Sequence, residues 1–421
     1  MENTTSTSSR FAALGYRNFT LIWAGLIVSN VGTWMQNVAN GWLVLQLTNS
    51  PLWLGLLGLS FAVPMIILPP FAGAVVDRVN RIKLLYFTQS MQMLGAFVLA
   101  ALTWFGMIQV WHILAVSFIS AAMLAFDNPA RQALVPDLVA PKDLLNALSL
   151  NAATYNGAAL VGPALAGVML APFGAGTLFF INGVSFLAVI FALMTMRAVR
   201  THSGGKQSRL HESFWSGLKY AWNNRLIMAL LALSAISSLF GRSYQTLLPA
   251  FSDFWKAGPQ GYGFLLASAG GGALVGAFGL ASIKNISHHG AVMLASGLIF
   301  SFTLIGFALS PSFWPGLILL FIVGVTSTVL ITIIATFLQV MTPNEMRGRV
   351  MSYYTVTLIG LPSLGALGSG AVAQSLGGIN GAPHAVLITA ILLGIILVSV
   401  VPVFWKRTIN PDQVSNKKAT R

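Results

Sequence analysis

The chain has no cysteine, only nine carboxylate side chains in 421 residues, and 8% charged residues. Without cysteine there is no disulfide and no thiolate metal site. So little charge excludes an ordinary soluble domain, in which about a quarter of residues are charged. No Gly-rich loop of the Walker type is present to cradle a nucleotide phosphate, so ATP hydrolysis by this chain is excluded as its energy source. The six histidines, His112, His202, His211, His288, His289 and His384, lie near expected helix ends or loops. The adjacent pair His288 and His289 has no carboxylate nearby and reads as a solvated turn. No metal, no cofactor and no catalytic constellation is expected, and hence no enzyme. The segment Met1 to Ser9 is polar, without the basic-then-apolar profile of a cleaved signal peptide, so the first apolar segment is expected to persist as a span.

What the chain does have is apolar sequence, 56% of it. Twelve segments are long enough to cross a bilayer, roughly 19–46, 51–75, 84–106, 111–128, 146–171, 174–196, 226–251, 262–283, 290–309, 313–340, 350–376 and 384–405. A net charge of +14 could suggest a nucleic-acid binder. The distribution argues against it. Of the 23 Lys and Arg, all but Arg242 and Lys256 fall in the two tails or in alternate connections, with the largest group between residues 197 and 225. The positive-inside rule then predicts both termini in the cytoplasm and an even number of spans.

Residues 197–225 form the one long polar interval and contain Ser203-Gly204-Gly205-Lys206, a linker-like stretch. Phe214, Leu218, Ala221 and Trp222 recur at helical spacing opposite Lys219, which predicts a short amphipathic helix on the inner leaflet or an extension of the seventh span. The expected organisation is an N-terminal bundle over 1–196, this linker, and a C-terminal bundle with a basic tail over 226–421. The halves echo each other faintly. Trp53-Leu54-Gly55-Leu56-Leu57 aligns with Gly261-Tyr262-Gly263-Phe264-Leu265, which sets Asp77 against Asn285 and Arg81 against His289. Pro141-Lys142-Asp143 aligns with Pro343-Asn344-Glu345. Transporters are often built from such repeats, with a site at the interface of the halves.

The strongest local motif runs from Gly73 through Asp77 and Arg78 to Arg81 and Lys83, between the second and third spans. It resembles the loop signature of the major facilitator superfamily, with the last basic residue displaced to Lys83. Three further stretches narrow the resemblance: Gly32-Thr33-Trp34-Met35-Gln36 with Gly41-Trp42; Phe126-Asp127-Asn128-Pro129-Ala130-Arg131 with Val135-Pro136-Asp137; and Pro343-x-Glu345-x-Arg347-Gly348-Arg349. Together they resemble the group-3 drug:proton antiporter branch, which includes enterobactin exporters and macrolide efflux proteins. The resemblance implies an all-α membrane protein, twelve helices in two pseudo-symmetric six-helix bundles, the major facilitator fold. It implies gating by Gly73, Asp77, Arg78 and Arg81, with Asp77 near Arg131 and the turn that begins near Val350. Gly73 would let a neighbouring helix approach closely. Gly162 and Pro163 resemble the Gly-Pro element of antiporters, and Pro362 with Gly360 and Gly365 marks a similar place in the eleventh span; either bending during transport or ordinary packing would explain them.

Arg242 lies about 16 residues into the seventh span, with no carboxylate to pair with. A charge there costs about 2.5–3.5 kcal/mol on insertion scales and is a functional-site candidate by default. Asn30, Trp34 and Asn37 share one face of the first span, with Thr33 and Asn40 close to it. Tyr244 and Gln245 follow the arginine, the eleventh span offers Tyr353, Tyr354 and Thr357, and the fifth offers Asn151, Thr154 and Tyr155. Polar groups interleaved with aromatics suit an amphiphilic organic ligand. The expected substrate site is Asn30, Trp34, Asn37, Arg242, Tyr244, Gln245 and Tyr353. Relatives in the branch commonly carry Asp after the glycine of the first span, where this chain has Thr33. Asp127 is then the one carboxylate left near the pathway to couple protons.

The expectation is a monomeric multi-pass transporter of a bacterial inner membrane, embedded in lipid, without nucleic-acid partners. It would export a small organic compound of siderophore or drug type, anionic if Arg242 binds it, using a proton gradient or the membrane potential. The alternative is an importer or lipid translocase on the same fold.

Overall fold

The computed structural model describes residues 11–76, 78–196, 219–283 and 289–405. The gating candidate Asp77 and most of the amphipathic segment expected at 214–222 lie outside the described residues. Residues 219–223 are helical, with Ala221 buried and Trp222 exposed.

Among the described residues there is no strand. The chain forms α1 (Arg17–Thr48), α2 (Pro51–Ile67), α3 (Pro69–Val76), α4 (Arg81–Trp104), α5 (Val110–Leu138), α6 (Leu144–Thr195), α7 (Arg225–Ile236), α8 (Tyr244–Phe254), α9 (Gly258–Ser282), α10 (His289–Ala308), α11 (Phe313–Met341), α12 (Asn344–Ser375) and α13 (Ala382–Trp405). Among the described residues nine helices, with adjoining segments merged, are long and apolar enough to cross a membrane, and α2 is a shorter apolar one. These elements are consistent with twelve crossings. α6 holds 52 residues, near 80 Å at about 1.5 Å each, which is too long for one crossing of a core about 30 Å thick. It breaks at Gly174, whose φ of 73° and ψ of 169° no helical residue adopts. The break separates the expected fifth and sixth spans. α7 and α8 are likewise one crossing, joined through a π-turn over Ser237–Gly241.

Helix starts follow local chemistry. The Asn80 carbonyl oxygen accepts from the Lys83 N–H at the head of α4, and Asn224 accepts from Leu226 and Ile227 at the head of α7. The chain divides into two compact units, one of 1–40 with 67–206, the other of 41–66 with 207–421. In the first, Phe19, Ile22, Leu85, Leu134, Leu138, Val189 and Leu193 form a buried cluster. In the second, Phe251 stacks against Phe307 with centroids 4.5 Å apart, and Trp255 meets Phe307 edge-on. Large apolar side chains such as Phe191, Phe278, Phe302, Ile318 and Ile395 stand more than 60% exposed. On a membrane protein these are the surfaces that meet lipid.

Gly365 of α12 lies against the Leu239 carbonyl inside the π-turn, where a Cβ would collide with that oxygen. Gly365→Val should therefore destabilise the protein by about 1–3 kcal/mol, read as a lower melting temperature in detergent. Gly368→Ala, three residues along the same helix and facing open space, should leave it unchanged.

Candidate functional site

Arg242 closes the π-turn, its backbone N–H reaching the Ser238 carbonyl at 3.4 Å. At about 1.5 Å per residue it stands some 25 Å along the crossing from Arg225 and some 18 Å from Phe254, well inside the hydrocarbon thickness. The side chain is half-buried and makes no ion pair and no hydrogen bond with any described residue. Tyr244 is 2% exposed and packs edge-on to Phe307, so it is a wall rather than a contact for a ligand. Tyr354 donates to the Ile331 carbonyl at 2.7 Å. Tyr353 is half-buried and already engaged. Gln245 is half-buried beside Arg242.

The turn that carries Arg242 is rich in hydroxyls. Ser234 shares a 2.6 Å hydrogen bond with Thr357, which donates to the Tyr354 carbonyl. The Ser237 and Ser238 hydroxyls are buried without a partner among the described residues. π-turns inside helices occur frequently at functional sites. Nothing in the hydrophobic pattern announces this one, and the serines were not among the expected site residues.

In the first unit, Asn30 and Trp34 are half-buried and Asn37 is exposed along one side of α1. Trp34 packs on Tyr155, rings 6.2 Å apart at 60°. Tyr155 itself is 57% exposed. Gly162 lies against Trp34 and the Val31 carbonyl, so α1 and α6 touch at backbone level. α6 passes through Gly162 and Pro163 with helical backbone, and its non-helical residue is Gly174. On the other side of α1, Gln36 is buried and accepts from Asn182 at 2.7 Å, an amide pair the sequence reading missed. Asn40 is buried with its carbonyl oxygen unpartnered.

The basic candidates of the loop motif belong to a network at one end of the first unit. Arg81 donates to Asp137 at 2.8 Å and to the Ala133 carbonyl at 3.0 Å. Arg131 lies 2.7 Å from Asp127, close but poorly aligned for a hydrogen bond, and donates to Asn128 at 2.8 Å. Asp127 is fully buried and also accepts from Thr88 and Gln89, each at 2.8 Å. Those two residues of α4 were likewise missed; a Thr-Gln pair inside an apolar run was the available signal. Arg78 is exposed. A Cβ at Gly73 would meet no described atom within 4 Å. Tyr16 donates to Asp143 at 2.8 Å, and that bond raises the phenol above its usual range by favouring the neutral form. The contact is present at neutral pH and lost only as pH climbs through the raised value.

The family described as transmembrane secretion effector matches residues 8–418. The multidrug efflux pump Tap of Mycolicibacterium fortuitum is 25% identical over 407 residues, covering 94% of this chain and 97% of Tap. The staphyloferrin A transporter of Staphylococcus aureus is 27% identical over 165 residues, 39% of this chain and 42% of its own length. The enterobactin exporter EntS of Shigella boydii serotype 18 is 25% identical over 270 residues, 63% of this chain and 64% of its own. The matches to the latter two thus span less than two thirds of those proteins. Among solved structures, a bacterial homolog of the human lysosomal transporter Spinster, inward-facing and unoccupied, aligns with TM-score 0.73 at 15% identity over 94% of this chain and 99% of its own. The nucleoside transporter NupG aligns with TM-score 0.72 at 13% identity over 91% and 98%.

The Asp127–Arg131 pair invites a direct test. Asp127→Asn alone leaves Arg131 uncompensated and should cost about 3 kcal/mol or more in stability. Adding Arg131→Gln should recover most of that loss, as measured by thermal unfolding of the purified proteins.

Proposed function

We propose that this chain, which belongs to the transmembrane secretion effector family of the major facilitator superfamily, exports a small anionic amphiphile across a bacterial inner membrane by alternating access. The observation that carries the proposal is Arg242, a charge inside the apolar thickness with no ion pair among the described residues. A substrate carboxylate or catecholate would offset its desolvation. In this reading Gln245 and Tyr353 orient the bound group, and Tyr244 is the wall behind. In the first unit, Asn30, Trp34 and Asn37 offer an uncharged polar and aromatic face of the kind that suits an amphiphile. Polar side chains left open at mid-helix do not face lipid, where each would cost free energy.

The names of the relatives support the substrate class, since staphyloferrin A and enterobactin are siderophores and Tap is named as a multidrug pump. The fold alone does not set direction, because it is shared with a transporter named for nucleosides. Energetics favour export. With both termini in the cytoplasm, an inside-negative potential drives each negative charge outward by about 2.3 kcal/mol per 100 mV. Proton coupling, if used, falls to Asp127, whose carboxylate is held by Arg131, Thr88 and Gln89. In this reading Arg81 and Arg131, together with Gly73, Asp77 and Arg78 of the same sequence motif, and Gly162 and Pro163 of α6, belong to the parts that move.

In inside-out vesicles, the protein should accumulate an iron-free catecholate siderophore, and Arg242→Gln should reduce uptake at least about tenfold, the loss of one charge-assisted hydrogen bond. Unchanged uptake by that variant would overturn the assignment. Collapsing the potential should slow the wild type, whereas Asp127→Asn with unaltered response to a pH gradient would remove Asp127 as the proton carrier.

A further inference from the structure

The second unit carries a cavity of about 640 Å³ at the end away from Arg225, Arg347 and Arg349. Its rim is built where α1 turns into α2, where α8 ends, and where α12 passes into α13. At that end of the unit the described residues hold two charged side chains, Asp253 and Lys256, and both line this cavity. In a chain that places nearly all its charge on the opposite membrane face, the coincidence of one acid and one base on one concavity is a departure from the pattern.

Neither side chain is neutralised by the protein. Asp253 and Lys256 make no ion pair with each other or with another described residue, and no side-chain hydrogen bond. Lys256 sits at φ 56°, a left-handed conformation that costs a side-chain-bearing residue about 1–2 kcal/mol, and its N–H is bonded to the Asp253 carbonyl at 2.8 Å. Asn49 at φ 49° and Gly377 at φ 113° turn the other two segments in the same way. Strained backbone that persists is a reason to look for function.

The remaining lining is uncharged and hydrogen-bonding. Asn49, Gln374 and Asn380 contribute carboxamides. The Gln374 carbonyl oxygen is already satisfied by the Ser50 hydroxyl at 2.7 Å, which leaves both amide protons to donate elsewhere. A surface with one cation, one anion and three carboxamides is complementary to a ligand that carries both charges itself.

We infer that this cavity binds a small zwitterion, an ammonium close to a phosphate or carboxylate. Asp253 takes the ammonium, Lys256 takes the anionic group, and the Gln374 amide donates to the same oxygens. The chemistry is shared by a free amino-alcohol phosphate and by the headgroup of a zwitterionic phospholipid in the adjoining leaflet. The site is distinct from Arg242, eleven residues away along the same crossing, and the failure of either assignment leaves the other standing.

The test uses the full chain in nanodiscs made only of phosphatidylglycerol. Free phosphoethanolamine is titrated in one arm, and phosphatidylethanolamine is added to the discs in the other, with bound lipid counted by native mass spectrometry. Asp253→Asn and Lys256→Gln are each compared with the wild type. Because both positions are exposed, unchanged circular dichroism and elution are expected for both variants. Saturable binding of free phosphoethanolamine that weakens at least about tenfold in both variants supports the site with a soluble ligand. Lipid retention lost in both variants, without binding of the free compound, supports it with a lipid headgroup. Binding of neither probe overturns the inference. So does binding untouched by one of the two variants, since a single charge would then suffice.

Discussion

A hydrocarbon interior offers no partner for a hydrogen bond, and most of this structure follows from that. Each crossing must satisfy its own backbone, which leaves the helix as the available form for an open chain. The same demand reaches the side chains. Thr48 bonds back to the Val44 carbonyl, Thr103 to Leu99 and Thr177 to Phe173, each one turn away. Amides pair across helices, as Gln36 with Asn182. Carboxylates are few, and in the first unit Asp127, Asp137 and Asp143 each have a partner. Against that background an arginine with no ion pair, and hydroxyls with no acceptor beside it, stand out as groups waiting for something the protein does not itself supply.

Because lipid tails are as apolar as leucine, burial from water cannot drive one helix against another; close contact must. Small residues provide it. Gly272 of α9 lies against the Phe321 carbonyl of α11, and Gly324 of α11 against the Ala269 carbonyl of α9, a reciprocal exchange of missing side chains. Gly365 does the same for the π-turn. There the close approach holds an irregular stretch of backbone in place, and Arg242 leaves the helix immediately after it. The position of Arg242 thus depends on a glycine of α12, 123 residues away in sequence.

Legibility varied with the kind of signal. α4 to α13 were readable as long apolar runs, with a break between the fifth and sixth spans that the structure places at Gly174. α1 is not among the nine helices apolar enough to be picked out by composition, since Asn30, Gln36, Asn37 and Asn40 dilute it; its neighbours and the charge map made it readable. The isolation of Arg242 was legible because it is a statement about which carboxylates exist at all. The partners of Asp127 were not, because Thr88 and Gln89 reach it from another helix, and nothing in the spacing of a single segment says which of its faces meets which neighbour. At Gly73 the motif suggests contact, and no described atom lies within 4 Å of where a Cβ would stand.

By itself the sequence determined the elements, the alternation of basic and uncharged connections set by where Lys and Arg occur, and the scarcity of acids, since all of these depend only on composition along one dimension. The tertiary structure decided which polar groups are satisfied and which are left open, where the seventh crossing departs from α-helical geometry, and that Asp253 and Lys256 share one cavity while remaining unpaired. Those are properties of distance between segments remote in the chain, and packing at the backbone level, glycine against carbonyl, is what sets them.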